Sequence, residues 1–283
     1  MYKVLFNPFA DNGHGEVSAK TVVGFIGEKD VDFINSSQIK DYKEFFATLN
    51  GDDKLVLCGG DGTLNYFVNA CNDEIPENEI YLYPVGTGND FLLDLGYKGM
   101  CAPVKVNEYI KDLPWVEAGG KRMFFIDNVA YGIDGWVCEI ADQQKAADPS
   151  AKINYTTIAI SGLLGKYKPC NAKVSVDGKC FEYERVWMAP AMNGRYFGGG
   201  MMVTPMQDRL NPDRTLTLML YQNAGRLEIA TGFPGIFSGA HVKNAKTIFH
   251  TGHEIIVEYD EPRAVQVDGE TILGVMKYRA VKE

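Results

Sequence analysis

The amino-acid sequence predicts two domains of different class, an N-terminal α/β domain followed by a C-terminal β-rich domain. Over roughly the first hundred residues, short apolar strands alternate with helical patterns, whereas strand patterns with short turns dominate after residue 104. The chain has 283 residues, about twice the length of a typical domain. Its 46% hydrophobic and 23% charged residues are ordinary for a globular protein and exclude a disordered chain.

Apolar segments and helical patterns alternate in the N-terminal domain. The predicted strands are Lys3–Asn7, Val31–Asn35, Lys54–Cys58 and Ile80–Val85. The predicted helices are Gly15–Glu28, Ile39–Leu49 and Leu64–Cys71. Strands that are apolar on both faces and separated by helices are typical of a parallel sheet covered on both sides. This pattern predicts a Rossmann-like, three-layer α/β domain.

Hairpins and further strands predict a β-sandwich-like second domain. One predicted hairpin joins Trp115–Ala118 to Arg122–Ala130 through Gly119-Gly120. The other joins Ala172–Val176 to Lys179–Met188 through Asp177-Gly178, a dipeptide that suits a type I′ turn. Further strands are predicted at Leu216–Tyr221, Glu254–Tyr259 and Ala264–Val267, and one helix at Ile153–Leu164.

The change of pattern sets the expected domain boundaries. We expect residues 1–104 to form the α/β domain, rejoined by a C-terminal segment of about residues 273–283. Residues 105–272 then form the β-rich domain. Because the junction near Cys101–Val104 is short, we expect the domains to touch and to form a cleft.

Charge and cysteine content exclude several classes of protein. The chain carries 28 Lys and Arg against 37 Asp and Glu, a formal net charge of −9, which argues against a nucleic-acid-binding surface. The six cysteines form no C-x-x-C pair and no secretory signal precedes them, so we expect reduced, mostly buried thiols in a cytoplasmic protein. The longest apolar runs are shorter than the roughly 18 residues that a membrane-spanning helix needs.

The strongest chemical signal is the segment Gly59-Gly60-Asp61-Gly62-Thr63, which follows a predicted strand and precedes a predicted helix. Glycines at the carboxyl end of a strand let backbone amides approach a phosphate, and the helix that follows adds its positive dipole. A carboxylate repels phosphate, so Asp61 suits a base for a hydroxyl nucleophile or a Mg²⁺ ligand. The alternative is a glycine-rich turn that only packs strand against helix.

A second loop, Gly86-Thr87-Gly88-Asn89-Asp90, repeats this design after the next predicted strand. Taken alone, Asn89 or Asp90 could be a simple helix N-cap. Since both loops leave the same edge of one sheet, we expect their polar groups to converge there.

Together these motifs resemble the diacylglycerol kinase catalytic family, which includes sphingosine kinases and bacterial soluble lipid kinases and belongs to the NAD kinase-like superfamily. Further segments fit in order along nearly the whole chain: Asn7-Pro8, Asn128–Val137, Asn193–Met201 followed by Pro205, and Asp268-Gly269-Glu270. The glycine-rich segment around Asp61 alone is shared with NAD kinases and phosphofructokinases, whereas the combination is much more selective.

The resemblance implies ATP- and Mg²⁺-dependent phosphorylation of the hydroxyl of diacylglycerol or a related lipid alcohol. It implies a nucleotide-binding α/β domain, a lipid-substrate β-rich domain and an active-site cleft between them. By the family pattern, Asp61 or Glu270 is the base, and Asp90 supports the site or Mg²⁺. The implied nucleotide-binding residues are Asn7, Gly59, Gly60, Gly62, Thr63, Gly86, Thr87 and Asn89.

Two positions depart from the family pattern. The opening motif runs Phe9–Gly15 and lacks the expected basic residue, for which Lys20 could substitute unless it is a solvated helix lysine. After the proline that Pro205 matches, the family often has Asp-Gly, and in some bacterial members that aspartate helps to hold a structural metal ion. Here Asp213 keeps the carboxylate and Arg214 replaces the glycine, which leaves this metal site open.

Two other functions compete with the lipid kinase: a superfamily kinase of a soluble hydroxyl such as NAD, and an inactive nucleotide- or lipid-binding regulator. For the lipid kinase we expect a lipid substrate, transient contact with a membrane surface and a cytoplasmic, peripheral location. Nucleic acid is not an expected partner, and a homodimer is allowed. A basic cluster beside the helix Ile153–Leu164 could touch anionic head groups or be a solvated face; its members are Lys166, Lys168, Lys173 and Lys179.

Overall fold

The chain forms two structural units, Met1–Leu113 and Pro114–Glu283, each built around its own sheet. The computed structural model describes residues 1–71, 74–85, 89–148 and 151–283. The boundary lies after the expected residue 104, because residues 104–110 still pack on the first sheet. Val106 donates its amide to Ile80 O (2.8 Å), and Asn107 Oδ1 accepts the amide of Ile80 (2.8 Å).

The first unit is a mixed sheet with strand order β2-β1-β3-β4-β5, in which the first four strands are parallel and β5 is antiparallel to β4. Its strands are β1 (Tyr2–Phe6), β2 (Val31–Asn35), β3 (Lys54–Gly59), β4 (Glu79–Pro84) and β5 (Val104–Lys105). The four predicted strands are confirmed to within one residue. The prediction of an α/β domain is confirmed.

Helices connect these strands. They are α1 (Ala10–Gly13), α2 (Gly15–Lys20), α3 (Val23–Ile26), α4 (Tyr42–Phe46), α5 (Asp61–Cys71), α6 (Asp90–Asp94) and α7 (Asn107–Ile110). The single helix expected over Gly15–Glu28 is interrupted at Thr21, whose hydroxyl donates to Ser18 O (2.6 Å). Of the helix expected over Ile39–Leu49, only α4 forms. It begins after Asp41, because Asp41 caps it by accepting the amides of Lys43 and Glu44.

The second unit is dominated by one nine-stranded sheet that runs β14-β13-β10-β8-β15-β16-β6-β7, with β9 pairing both β10 and β15. Its strands are β6 (Trp115–Ala118), β7 (Lys121–Phe124), β8 (Asn128–Gly132), β9 (Cys170–Val176), β10 (Lys179–Met192), β13 (Leu216–Gln222), β14 (Thr247–Gly252), β15 (Glu254–Val267) and β16 (Glu270–Val281). A separate pair is β11 (Tyr196–Phe197) with β12 (Met201–Met202).

Two long bent strands, β10 and β15, hold the second unit together. The first half of each pairs with β9, and the second half of each pairs with β8. The register shifts within both strands, and Arg185 at the bend of β10 takes a left-handed φ of 51°. The two strands therefore fold over an apolar core in which Tyr131 and Tyr259 stack 4.0 Å apart. This confirms the prediction of a β-rich second domain.

Both predicted turns are present, but the strand expected over Arg122–Ala130 is divided into β7 and β8, and only β7 pairs with β6. Asp177 and Gly178 both have positive φ, 48° and 79°, as a type I′ turn requires.

The C-terminal segment differs from expectation: residues 273–283 do not rejoin the first unit. They lie in or directly after β16, which pairs with β15 and places Val281 opposite Trp115 of β6. The cause is a second tight turn, Asp268-Gly269, with φ of 45° and 92°, which returns the chain directly along β15.

Three helices cover part of the second unit: α8 (Ile133–Ala147), α9 (Tyr155–Ser161) and α10 (Arg226–Gly232). Helix α8 was not predicted. Its first turn lies close to the sheet, and glycine at position 135 permits this approach, since a side chain there would overlap the carbonyl of Ala264 in β15. The predicted helix Ile153–Leu164 is α9 followed by a π-helical turn, Gly162–Lys166. No helix in the described ranges is long and apolar enough to cross a membrane.

Candidate active site

In the first unit, the two predicted loops are joined by the carboxylate of Asp61. Its two oxygens accept the amides of Asp90 (2.7 Å) and Phe91 (3.1 Å), the first two residues of α6. These amides have no partner within their own helix, and the helix dipole favours a negative charge at that end. Asn89 occupies the N-cap position, but Asp61 supplies the capping oxygens. The expected convergence of the two motifs is therefore present for Asp61 and Asp90.

The glycine segment differs from expectation in one respect: Asp61 is not in a loop but in the first turn of α5. Only Gly60 separates β3 from α5, and its carbonyl accepts the amides of Thr63 (3.0 Å) and Leu64 (3.2 Å). A Cβ at Gly59 would overlap the side chain of Thr63. Gly59 thus lets Thr63 fold back over the end of the strand. Gly62 is exposed on α5.

The opening motif forms a compact turn at the end of β1. Asn7 is exposed; its Oδ1 accepts the amide of Phe9 (3.0 Å) and its carbonyl accepts the amide of Ala10 (3.1 Å). A Cβ at Gly15 would overlap the carbonyl of Asn7, so this glycine permits the close approach of α2. Lys20 is exposed and pairs with Glu16 one turn earlier on α2 (2.7 Å), as a solvated helix lysine does. The predicted residues Gly86 and Thr87 lie outside the described residues.

In the second unit, the Asp-Gly-Glu motif is a turn that separates the roles of its two acids. The carboxylate of Asp268 accepts the amides of Ile126, Asp127 (3.0 Å) and Asn128 (2.9 Å), directly before β8. Glu270 begins β16 and is exposed, and its side chain makes no hydrogen bond or ion pair with the described residues. Asp268 is thereby a structural anchor, whereas the carboxylate of Glu270 is available for chemistry.

A buried polar network holds the same segment from its other side. Asn193 donates its side-chain amide to Ile126 O (2.9 Å), and Arg209 forms a buried ion pair with Asp127 (2.8 Å), each side chain only 4% exposed. Buried Lys282 donates to Asn193 Oδ1 (2.8 Å) and to Arg209 O (2.6 Å). Residues 126–128 therefore connect the segment that starts at Asn193 with the Asp-Gly-Glu turn. Sequence reasoning missed Arg209 and Lys282, since neither belongs to a recognisable motif.

Asp134 is a buried acid that sequence reasoning also missed. It lies in the first turn of α8, where burial raises the pKa of its carboxyl to about 8. Neither its Oδ2 nor the buried hydroxyl of Tyr167 has a hydrogen-bond partner among the described residues. Its carboxyl is therefore mostly protonated at neutral pH. A cavity of about 320 Å³ lies beside the same helix, lined in part by Trp136 and Arg263.

The acidic side chains are the groups that could hold a metal ion in this chain. No group of three or more Asp, Glu, His or Cys side chains gathers within the described parts of the chain. Asp213 is exposed, and Arg214 beside it keeps a left-handed φ of 50°, the backbone conformation that favours the family's glycine. The residues present do not make a closed structural metal site at Asp213. A Mg²⁺ ion that arrives with nucleotide phosphates needs only one or two carboxylates; of the two predicted acids, Asp61 lies in the first turn of α5 and Asp90 is 7% exposed.

Two family models match the chain. Residues 1–113 match the model described as "Diacylglycerol kinase catalytic domain". Residues 127–280 match the model described as "YegS C-terminal NAD kinase beta sandwich-like domain". The two matches meet near the boundary between the two structural units.

Curated relatives and solved structures agree with these matches. A diacylglycerol kinase of Mycobacterium tuberculosis is 25% identical over 256 residues, which cover 84% of this chain and 79% of that protein. A diacylglycerol kinase of Bacillus subtilis is 24% identical over 230 residues, which cover 79% and 73%. The crystal structure of a diacylglycerol kinase from Bacillus anthracis superposes on this chain with a TM-score of 0.66 at 20% identity. The match covers 99% of this chain and 94% of the other. That likeness supports the fold.

The ion pair of Asp127 and Arg209 should be strongly coupled in stability. Asp127→Asn or Arg209→Met leaves one buried charge without its partner, so each should lower the free energy of unfolding by about 3–5 kcal/mol. Urea denaturation of the double variant should show a smaller loss than the sum of the single losses. The exposed pair Lys43–Glu74 is a matched control and should show no measurable coupling. Additive losses at Asp127 and Arg209 would contradict this role.

Asp134 should make the stability of the protein fall as pH rises. Because its folded pKa of about 8 lies above the unfolded value, the folded state binds the proton more tightly, and stability is lost between about pH 4 and pH 8. The slope for this group is about 1.4 kcal/mol per pH unit. Asp134→Asn should match the native protein in urea denaturation at pH 5 and exceed it by about 3 kcal/mol at pH 7.5. An equal stability difference at pH 5 and pH 7.5 would show that the pKa of Asp134 is not raised in the folded protein.

Proposed function

We propose that this chain, which belongs to the diacylglycerol kinase catalytic-domain family, is a lipid kinase that transfers the terminal phosphoryl group of ATP to the hydroxyl of diacylglycerol or a related lipid alcohol. The proposal rests on how a family motif is held within each unit: in the first, Asp61 binds the start of α6, and in the second, the Asp-Gly-Glu turn is anchored at residues 126–128. The curated relatives named diacylglycerol kinases support the same substrate class.

The two candidate bases differ in their surroundings. Both oxygens of Asp61 already accept backbone amides, which fixes the carboxylate and leaves it less available as a proton acceptor. Glu270 is exposed and makes no competing contact with the described residues. We therefore assign Glu270 as the base and Asp61 as the residue that positions the nucleotide-binding motifs.

In the proposed reaction, the substrate hydroxyl oxygen attacks the γ-phosphorus of ATP. A new phosphorus–oxygen bond forms, the bond to the β-phosphate oxygen breaks, and ADP leaves. Glu270 takes the hydroxyl proton. Catalysis of this kind depends on positioning and on charge neutralisation, and Mg²⁺ bound with the nucleotide supplies much of that neutralisation. Asp90 and Asp61 are the residues proposed to meet the ion.

The nucleotide is proposed to lie against the ends of β1, β3 and β4. The exposed turn at Asn7, the short connection at Gly60 and the folded-back Thr63 present backbone amides and hydroxyl groups at these ends. Gly86, Thr87 and Asn89 complete the proposed nucleotide site by the family pattern. The lipid substrate implies transient contact with a membrane surface.

The defining experiment is phosphoryl transfer from labelled Mg-ATP to a panel of acceptors. Diacylglycerol, monoacylglycerol, sphingosine and phosphatidylglycerol are offered in mixed micelles, and NAD in solution. We expect one lipid alcohol to be labelled and NAD to stay unlabelled. Transfer to NAD alone would establish the soluble-hydroxyl kinase instead, and ATP binding without any transfer would establish the regulator.

Asp61→Asn should lower transfer at least about a hundredfold, because an amide side chain accepts only one of the two amide hydrogen bonds and the start of α6 shifts. Asp41→Ala is the control, since it removes the side-chain oxygen that caps α4 and Asp41 lies in no motif. It should lower stability in a thermal melt with little effect on transfer. Equal loss of transfer in both variants would show that Asp61 acts through stability alone.

Glu270→Gln should lower kcat by about 10²–10⁴-fold with a small effect on the KM for ATP, because a proton acceptor is lost and the nucleotide site is intact. Glu258→Gln changes another exposed glutamate of the second unit and serves as the control. Steady-state kinetics over pH 5–9 give the comparison. A rise in KM with unchanged kcat would exclude Glu270 as the base.

A further inference from the structure

We propose that the second unit docks on an anionic phospholipid bilayer through one tip, formed by α9, the turn Gly162–Lys166, Lys168 and the first residues of α10. We call this surface the docking tip. The proposal rests on the lipid kinase function, since a kinase of long-chain diacylglycerol must reach a substrate held in a bilayer. It names the part of the chain that makes this contact.

The docking tip carries the most exposed leucines of the second unit. Leu227 is 79% exposed and Leu164 is 75% exposed, the highest values for large hydrophobic side chains in the described part of that unit. Ile160 and Tyr155 on α9 add about half of their surfaces. Single exposed leucines are ordinary, but here α10 packs against the turn that carries Leu164, so the exposed groups lie on adjoining elements.

Arg226 holds the turn in this outward position. Its guanidinium donates to the carbonyl oxygens of Leu163 (3.0 Å) and Tyr167 (3.0 Å) and lies 5.6 Å from the ring centre of Trp187. Gly162 contributes a further carbonyl contact at 3.3 Å. The backbone that carries Leu164 is therefore fixed by a side chain of α10. These contacts, and not a loose loop, set the exposed position of Leu164.

The charges at the docking tip suit an anionic surface. Lys166 ends the turn and Lys168 follows it; both are exposed and form no ion pair within the described residues. They stand out in a chain with a formal net charge of −9. Lys173, which the sequence groups with them, differs because the strand register places it opposite Glu182 on one side and Glu258 on the other. Lys179 lies at the far end of the β9–β10 hairpin, so of the four predicted lysines only Lys166 and Lys168 lie next to Leu164 in the chain.

Apolar side chains that project singly beside lysines match a bilayer better than a folded protein partner. A bilayer interface accepts isolated leucines at the level of the head groups and attracts nearby lysines through its negative surface potential. A protein interface instead needs a continuous, complementary patch. The combination of two leucines and two lysines predicts reversible binding, as transient contact with substrate-bearing membranes requires.

The test is co-sedimentation with vesicles of phosphatidylcholine alone and of phosphatidylcholine with 30 mol% phosphatidylglycerol. The native protein should bind the anionic vesicles and release them at high salt. Leu164→Ser with Leu227→Ser should weaken binding by at least about tenfold, which corresponds to about 1.4 kcal/mol. Lys166→Gln with Lys168→Gln should weaken it by about fivefold for each lysine. Thermal melts should be unchanged, since all four side chains are exposed.

Two controls separate the docking tip from general surface effects. Met100→Ser removes a hydrophobic side chain that is 71% exposed on the first unit, and Lys173→Gln removes the lysine that the register places opposite Glu182 and Glu258; neither should change vesicle binding. Phosphorylation of the water-soluble dihexanoylglycerol should be the same in every variant. Equal vesicle binding by the leucine variant and the native protein, or equal binding of neutral and anionic vesicles, would overturn the proposal. Vesicle binding that follows the variants without any lipid phosphorylation would support the docking tip and refute the kinase function.

Discussion

The carboxylate of Asp268 is the constraint on which the second unit depends. Its contacts with the amides of Ile126, Asp127 and Asn128 fasten the turn between β15 and β16 to the start of β8. The strand pairing of β8 with both β10 and β15 then starts from a fixed point. Because the turn is fastened at Asp268, the position of Glu270 two residues later is set by the core rather than by a mobile loop.

The first unit uses the same device at Asp61. There, too, a carboxylate from one motif binds the backbone amides of another, and in both units the bound amides lie just before or at the start of a regular element. A carboxylate that accepts two or three amides is held more firmly than one that meets a single flexible side chain. The motif acids therefore divide into two kinds: Asp61 and Asp268 build the site, and Glu270 is left to react.

How far the sequence could predict this arrangement depended on whether the signal was local. The four parallel strands of the first sheet were predicted to within a residue because buried parallel strands are continuous apolar runs, whereas the two-residue β5 was not predicted. The turn Asp177-Gly178 was predicted because few dipeptides adopt two positive φ values. Helix α8 and the burial of Asp134 escaped because both follow from the close approach of Gly135 to β15, a contact between distant segments. Lys282 escaped because nothing near it in the sequence shows that a terminal lysine is buried.

The two buried acid sites of the second unit show why charge balance decides the outcome of burial. In the network around residues 126–128, the carboxylate of Asp127 pairs with Arg209, the carboxylate of Asp268 accepts backbone amides, and Lys282 donates to Arg209 O. Such a network fixes the groups around it, although burying its charges costs desolvation free energy. Asp134 is buried without a cation beside it, and so its pKa rises to about 8 and it stays mostly protonated at neutral pH. The second unit thus contains one buried aspartate that is paired with an arginine and another that has no cation and is held neutral by burial.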